Sequence, residues 1–386
     1  MDSDVDRLLE QASAATYGLT DFGDESFRYG LEVFITSAAT DGQLSPIGEA
    51  AVEGMVVGNL ANRLRVTDWH NSNPAIGTSP IDAPLFLIGL PRTGTTALSH
   101  LLSVDPANRS LLAWEANEST PPPTTETYRT DPRFLAAANA PDMLGMLNPA
   151  FKAIHHDPAD MPIECAVLLG QHFTSLHLST TFNLPTYMEW LQSADHTPAY
   201  RYHRQALQVL QAQCPGQWQL KSPVHLMDPA ALSTVYPDAR FVLTHRDPAN
   251  LLASVCSLVQ TLAGTWTDTD WRDYIRTTWP EIVASLLDNQ IEFRDNQISA
   301  GRGDAFIDVA YSSLVNDPIG TIASIYDQCG QDFTPEAEAA MRAHSAEHRK
   351  DKFGSHSYSL EEWELDRYAL NERFSTYLDR YADFLE

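Results

Sequence analysis

A chain of 386 residues, 43% of them apolar, is long enough to bury a sizeable core as one large domain or a domain with an appendage. Its 51 acidic against 25 basic residues leave a formal net charge of -26. That balance argues against a nucleic-acid or anionic-membrane surface and obliges any anionic ligand to enter a local basic pocket.

The first residues, Met1-Asp-Ser-Asp-Val-Asp-Arg7, are acidic and lack the apolar core of a signal peptide, and no segment approaches the length of a membrane span. Cys165, Cys214, Cys256 and Cys329 lie far apart without CxxC spacing, so neither a zinc knuckle nor a disulfide framework is expected. These features predict a cytoplasmic protein.

Up to about Asn73 the apolar positions recur at helical spacing, in Phe27 to Thr36 and in Ala50 to Val66, with Ser45-Pro46 as a start for the second run. Pro74, Gly77, Pro80 and Pro84 then mark a linker. Beyond it the pattern alternates. Strands are expected at Leu85 to Ile88, Gln217 to Lys221 and Phe241 to Thr244, and helices at Gly94 to Ser103, Asp228 to Val235 and Pro248 to Leu262. Such alternation predicts an α/β fold, a central parallel sheet covered by helices, preceded by an N-terminal helical region over residues 1–82. The proline-rich run from Ser119 to Thr125 reads as a rigid surface loop. Residues 141–215, with Tyr187, Trp190, Tyr200 and Tyr202, read as a helical insertion over the carboxyl edge of the sheet.

The segment Pro84-Leu-Phe-Leu-Ile-Gly89-Leu-Pro-Arg92-Thr-Gly94-Thr95-Thr96 is a strand that breaks into a glycine-bounded loop and then a helix. Backbone N–H groups and the helix dipole suit that geometry to a phosphate group. The usual nucleoside-triphosphate loop reads GxxxxGK[ST], with a lysine for the terminal phosphates and a hydroxyl for magnesium. Here Thr95 stands in the lysine's place, and Arg92 is the cation within the loop. An ATP-dependent small-molecule kinase is therefore the less favoured reading, and a nucleotide-binding protein without catalysis is a third.

A second strand-to-helix junction follows far downstream, Ala239-Arg-Phe-Val-Leu-Thr-His245-Arg246-Asp247-Pro248 running on to Ser254. An arginine at a strand end can fork two phosphate oxygens, and a hydroxyl on the following helix adds a donor. The bland alternative is a surface turn in which Asp247 caps the helix.

Together these motifs resemble the P-loop sulfotransferases of the PR[ST]GTT branch, which take 3′-phosphoadenosine 5′-phosphosulfate as sulfuryl donor and leave adenosine 3′,5′-bisphosphate. The resemblance runs from about residue 83 to the C-terminus, giving a domain over 83–386. It implies that Arg92, Thr93, Gly94, Thr95 and Thr96 hold the 5′-phosphosulfate, and that Arg246 and Ser254 hold the 3′-phosphate. Two phosphate clamps account for the missing loop lysine, and sulfuryl transfer needs no metal.

Trp218-Gln-Leu-Lys221-Ser-Pro-Val-His225 resembles the family's KTH or KSPxH strand end, where the lysine stabilises charge on the sulfate or on the departing phosphate oxygen. Pro223 occupies the place of the short form's basic histidine, and His225 lies two residues further on. Glu115, in Leu111-Leu-Ala-Trp-Glu115 and expected on a second strand beside Trp114, matches the catalytic glutamate of some members. His155, in His155-His156-Asp157, is a third candidate for the base and is read as a lining of the acceptor pocket rather than as a metal ligand. Tyr311 resembles the tyrosine of the YEDL segment that meets the adenine. Arg349, Lys350 and Lys352 fall in a late basic loop of the kind that closes over the nucleotide. The expected partner is a small-molecule acceptor with a hydroxyl or amine, apolar or carbohydrate-like, attacking sulfur in line after proton removal.

Overall fold

In the computed structural model, residues 2–149, 159–347 and 359–385 are described, and they fall into two compact units. One comprises Asp82–Ser110, Gly216–Gln260 and Trp271–Glu386, and the other Met1–Ile81, Leu111–Pro215 and Thr261–Asp270.

The first unit is built on five parallel strands in the order β2-β3-β1-β4-β5. They are β1 (Leu85–Ile88), β2 (Asn108–Ser110), β3 (Gln217–Lys221), β4 (Arg240–His245) and β5 (Phe306–Ala310). Leu85 pairs with Gln219 of β3 on one side and with Arg240 of β4 on the other, which makes β1 central. All four β1 residues are buried, as expected of a parallel strand covered on both faces.

The faces differ in chemistry. Leu85, Leu87, Val242, Ile307 and Val309 join Leu98, Leu101 and Leu102 of the helix Thr95–Ser103 and Ile322 and Ile325 of the helix Pro318–Cys329 in an aliphatic core. The other face is aromatic. Phe86 lies 5.3 Å from Tyr236 and 6.4 Å from Phe241, and Phe241 meets Phe293 of the helix Arg272–Ser299 edge-on at 5.2 Å.

After β1 the chain moves toward β2, and after β4 it moves the opposite way to β5. Right-handed crossovers put the following helices on opposite faces, so the gap between the carboxyl ends of β1 and β4 is a topological switch point, where open parallel sheets bind ligands. The loops carrying Arg92 and Arg246 flank that gap.

The second unit is helical. The helices Asp2–Ala15, Phe27–Thr40 and Pro46–Ser72 share it with those from Ala166–Gly170 to Thr197–Gln211. Ser45 caps the third helix by accepting the Gly48 N–H at 3.2 Å. Phe34 packs against Phe173 at 6.3 Å and Tyr187 at 5.4 Å. The Arg63 guanidinium is sandwiched between Phe27 and Tyr202, at 4.4 and 4.7 Å, and donates to the carbonyls of Phe22 and Asp24. The units are therefore not consecutive segments meeting at residue 82. The helical insertion groups with the N-terminal helices because each supplies half of one aromatic core. Pro122 and Pro123 are buried, so the proline run expected as a surface loop is partly internal. Among the described residues, no helix is long and apolar enough to cross a membrane.

His172 and His203 lie buried in the helical unit, and burial pushes each imidazole down to about 3, with the nearby Arg63 charge adding to the effect at His172. Both are neutral in the fold, whereas the unfolded chain takes up their protons below about 6.5. Their contribution to stability is complete above pH 6.5 and declines as pH falls toward 3, by about 1.4 kcal/mol per pH unit for each once pH is well below 6.5. Urea unfolding midpoints should drop between pH 7 and pH 5, above the range where ordinary carboxylates titrate. A midpoint that does not move over this interval contradicts the assignment.

Candidate active site

The loop after β1 is shaped by two close approaches. A Cβ on Gly89 would run into the Thr244 hydroxyl and come within 2.6 Å of the Thr93 hydroxyl. A Cβ on Gly94 would lie 2.9 Å from Leu314 and 3.2 Å from the Tyr311 ring. Gly94 also has φ +91°, in the left-handed region that favours glycine. It directly precedes the helix Thr95–Ser103, whose first N–H groups have no carbonyl within the helix and face the loop. Arg92, solvent-exposed, is itself left-handed, with φ 73°.

Thr93 is bonded within the fold. It is buried, and its hydroxyl donates to the Leu90 carbonyl at 2.7 Å and lies 2.7 Å from that of Thr244. Its N–H also goes to Leu90. Thr93 thus pins the loop to β4. Nothing in the local sequence marked Thr244 as the other half of this pin.

Lysine reaches the loop from the neighbouring strand. Leu87 of β1 pairs with Lys221, the last residue of β3, and the Lys221 Nζ donates to Thr96 Oγ1 at 3.3 Å. Lys221 is only 3% exposed, so its cation is held in place at the strand end. From the other side, Arg246 Nη1 donates to the Arg92 carbonyl at 2.9 Å, and its guanidinium lies over the Tyr311 ring at 4.3 Å. Asp247 accepts the Ala249 N–H at 2.9 Å. It caps the helix Pro248–Ala263, while Arg246 turns toward the loop. Ser254 is half-buried in the second turn of that helix. The carboxyl ends of β1, β3, β4 and β5 therefore bring Arg92, Lys221, Arg246 and Tyr311 around one glycine-bounded helix start, an arrangement suited to an extended polyanion carrying an aromatic base.

A profile of the sulfotransferase family matches residues 84–335 of this chain. The chain belongs to that family. Sulfotransferase STF9 from Mycobacterium avium superposes with a TM-score of 0.88 at 32% identity, covering 99% of this chain and 97% of that one. STF1 from Mycobacterium tuberculosis H37Rv gives 0.80 at 31% identity, covering 96% and 98%. The omega-hydroxy-beta-dihydromenaquinone-9 sulfotransferase Stf3 of Mycobacterium bovis is 25% identical over 325 residues, 78% of this chain and 75% of that relative.

In this sulfotransferase Glu115 does not lie on a strand. β2 ends at Ser110, and Leu112 leads into a short helix, Ala113–Asn117, whose first turn Glu115 closes by accepting the Leu112 N–H at 3.3 Å. The residue is fully buried in the helical unit, and its carboxylate accepts from the half-buried Tyr128 hydroxyl at 2.8 Å. Trp114 contacts that same tyrosine at 5.6 Å and Phe134 at 6.3 Å. His225 belongs to the sheet unit, in the turn Pro223–Leu226 after β3. It too is fully buried, with its ring edge-on to Phe86 at 5.1 Å. His155, His156, Asp157, Arg349, Lys350 and Lys352 lie outside the described residues.

Gly94→Ala tests the loop geometry. The added methyl meets Tyr311 and Leu314 at a left-handed position, a strain of about 1–3 kcal/mol. A lowered thermal midpoint is expected together with weakened nucleotide binding. Unchanged stability and unchanged binding would show that the loop tolerates a side chain there.

Proposed function

We propose that this sulfotransferase takes its sulfuryl group from 3′-phosphoadenosine 5′-phosphosulfate at the junction of β1 and β4 and transfers it to a hydroxyl of a small apolar molecule. The observation that carries the donor reading is the bond from Arg246 to the Arg92 carbonyl, which ties the two cation-bearing loops together. The residues present fit such a donor. Amides of the first turn of Thr95–Ser103, Arg92 and Lys221 face the 5′ side, Arg246 with Ser254 takes the 3′-phosphate, and Tyr311 meets the adenine. With Lys221 fixed on β3, a cation stands ready for charge developing on the bridging oxygen without side-chain rearrangement, and no metal is required for that task.

Glu115 removes the acceptor proton in this proposal. Its carboxylate accepts from the half-buried Tyr128 hydroxyl, which offers the proton a way out; the equally buried His225 ring lies edge-on to Phe86. The acceptor hydroxyl attacks sulfur in line as the bond from sulfur to the bridging oxygen breaks, giving a sulfate ester and adenosine 3′,5′-bisphosphate. An apolar acceptor is supported by the name of the Stf3 relative, a sulfotransferase of an omega-hydroxylated menaquinone. All four cysteines are free thiols, which suits a reducing compartment and a cytoplasmic reaction.

Calorimetry with adenosine 3′,5′-bisphosphate and with ATP plus magnesium tests the donor site. The bisphosphate should bind more tightly, and Arg246→Ala should weaken it by about 10- to 100-fold, the loss of a charge-assisted contact. Equal affinity for ATP in the parent protein would favour the kinase reading. For the base, Glu115→Gln should lower turnover by about 100-fold or more with nucleotide affinity intact, while His225→Asn should have a much smaller effect. The reverse pattern would transfer the role to His225.

A further inference from the structure

The two residues that flank Arg246 are each gripped by the C-terminal segment. On one side, Arg367 donates to Asn250 Oδ1 at 2.6 Å and bonds Asp247 Oδ2. On the other, the Tyr377 hydroxyl lies 2.8 Å from His245 Nδ1. His245 ends β4 and is fully buried, with its ring stacked on Tyr381 at 4.2 Å and near Phe384 at 5.3 Å. Its Nε2 lies 2.8 Å from Asp308 Oδ1 on β5, and Arg294 holds Asp308 through two bonds, at 2.5 and 2.7 Å.

The protons in this network can be assigned. Burial opposes ionisation of Asp308, but the hydrogen bonds from His245 and Arg294 and the Arg294 charge outweigh it and hold the carboxyl at about 2. Asp308 is therefore an acceptor only, and His245 Nε2 carries the hydrogen. Burial keeps His245 below its ordinary value and so neutral, which leaves Nδ1 to accept from Tyr377. Each bond has one donor and one acceptor, so the arrangement is closed and directional.

Register gives the network its consequence. His245 pairs with Ala310, and the residue just past each strand end is Arg246 or Tyr311, which stack on each other at 4.3 Å. Fixing His245 and Asp308 fixes the base of that stacked pair.

We infer that the C-terminal segment, through Tyr377 on His245 and Arg367 on Asp247, is a brace that positions Arg246 and so sets the preference for a nucleotide bearing a 3′-phosphate. This rests on the role given to Arg246 above. Tyr377, Arg367, Asp308 and Arg294 are positioning residues, since none of them is assigned a contact with the nucleotide.

The test is a ratio. Adenosine 3′,5′-bisphosphate and adenosine 5′-phosphate are titrated into the full chain, into Tyr377→Phe and into Arg367→Gln. Each variant should lose about five-fold in affinity for the bisphosphate, the worth of one hydrogen bond, while the monophosphate binds as before. Arg367 is partly exposed, so its variant keeps the test open if Tyr377→Phe folds poorly. Equal losses for both ligands mean a structural role only and overturn the brace, as does an unchanged ratio in both variants. If the parent protein shows no preference for the bisphosphate, the role of Arg246 fails and the brace falls with it.

Discussion

Parallel pairing of β1 with β4 is the constraint on which the site depends. Each strand ends in a loop that cannot continue the sheet, and the two chains leave in opposite directions, so a cleft opens between them. Gly89 and Gly94 allow the first loop to lie against Thr244 on one side and Tyr311 with Leu314 on the other, closer than any side chain would permit. The Thr93 and Thr244 hydroxyls then seal the base of the loop, and Arg246 bonds its carbonyl edge. Backbone amides can be aimed at an anion only if the loop does not relax, and these contacts supply that rigidity.

The electrostatic problem is severe for a chain with a net charge of -26. An anionic nucleotide gains nothing from the overall field, but at physiological salt that field is screened within about 8 Å. In the proposed binding mode what counts is the charge inside that radius, where Arg92, Lys221 and Arg246 gather around a helix N-terminus. The network beneath them is internally balanced, because Arg294 and Asp308 neutralise each other and His245 is uncharged. It therefore adds rigidity without competing for the ligand's charge.

Much of the sheet unit is legible in the sequence. β1, β3 and the helices after β1 and β4 fall within a residue or two of expectation, since short apolar runs bounded by glycine and proline admit few other structures. What failed has local causes. β2 is only three residues long, and the strand expected to carry Glu115 ends at Ser110. The grouping of the insertion with the N-terminal helices depends on contacts such as Phe34 with Tyr187 and Arg63 with Tyr202, far apart in sequence and invisible to periodicity. The bond from Tyr377 to His245 spans 132 residues, and the only trace of it beforehand was a histidine at the buried end of a strand.

In the proposed function, Lys221 stands in for the lysine that the loop lacks. In a GK[ST] loop the lysine belongs to the helix that cradles the phosphates, and it serves the terminal groups of a triphosphate. Here the cation arrives from the adjacent strand, nearly buried and tethered to Thr96. A strand-borne cation is fixed by the sheet register rather than by the ligand, so its charge is oriented before the ligand arrives. That suits a reaction whose charge accumulates on a single bridging oxygen. In the proposed function, Lys221 thus takes over within the same sheet, one strand away, the task that a lysine at the position of Thr95 would have.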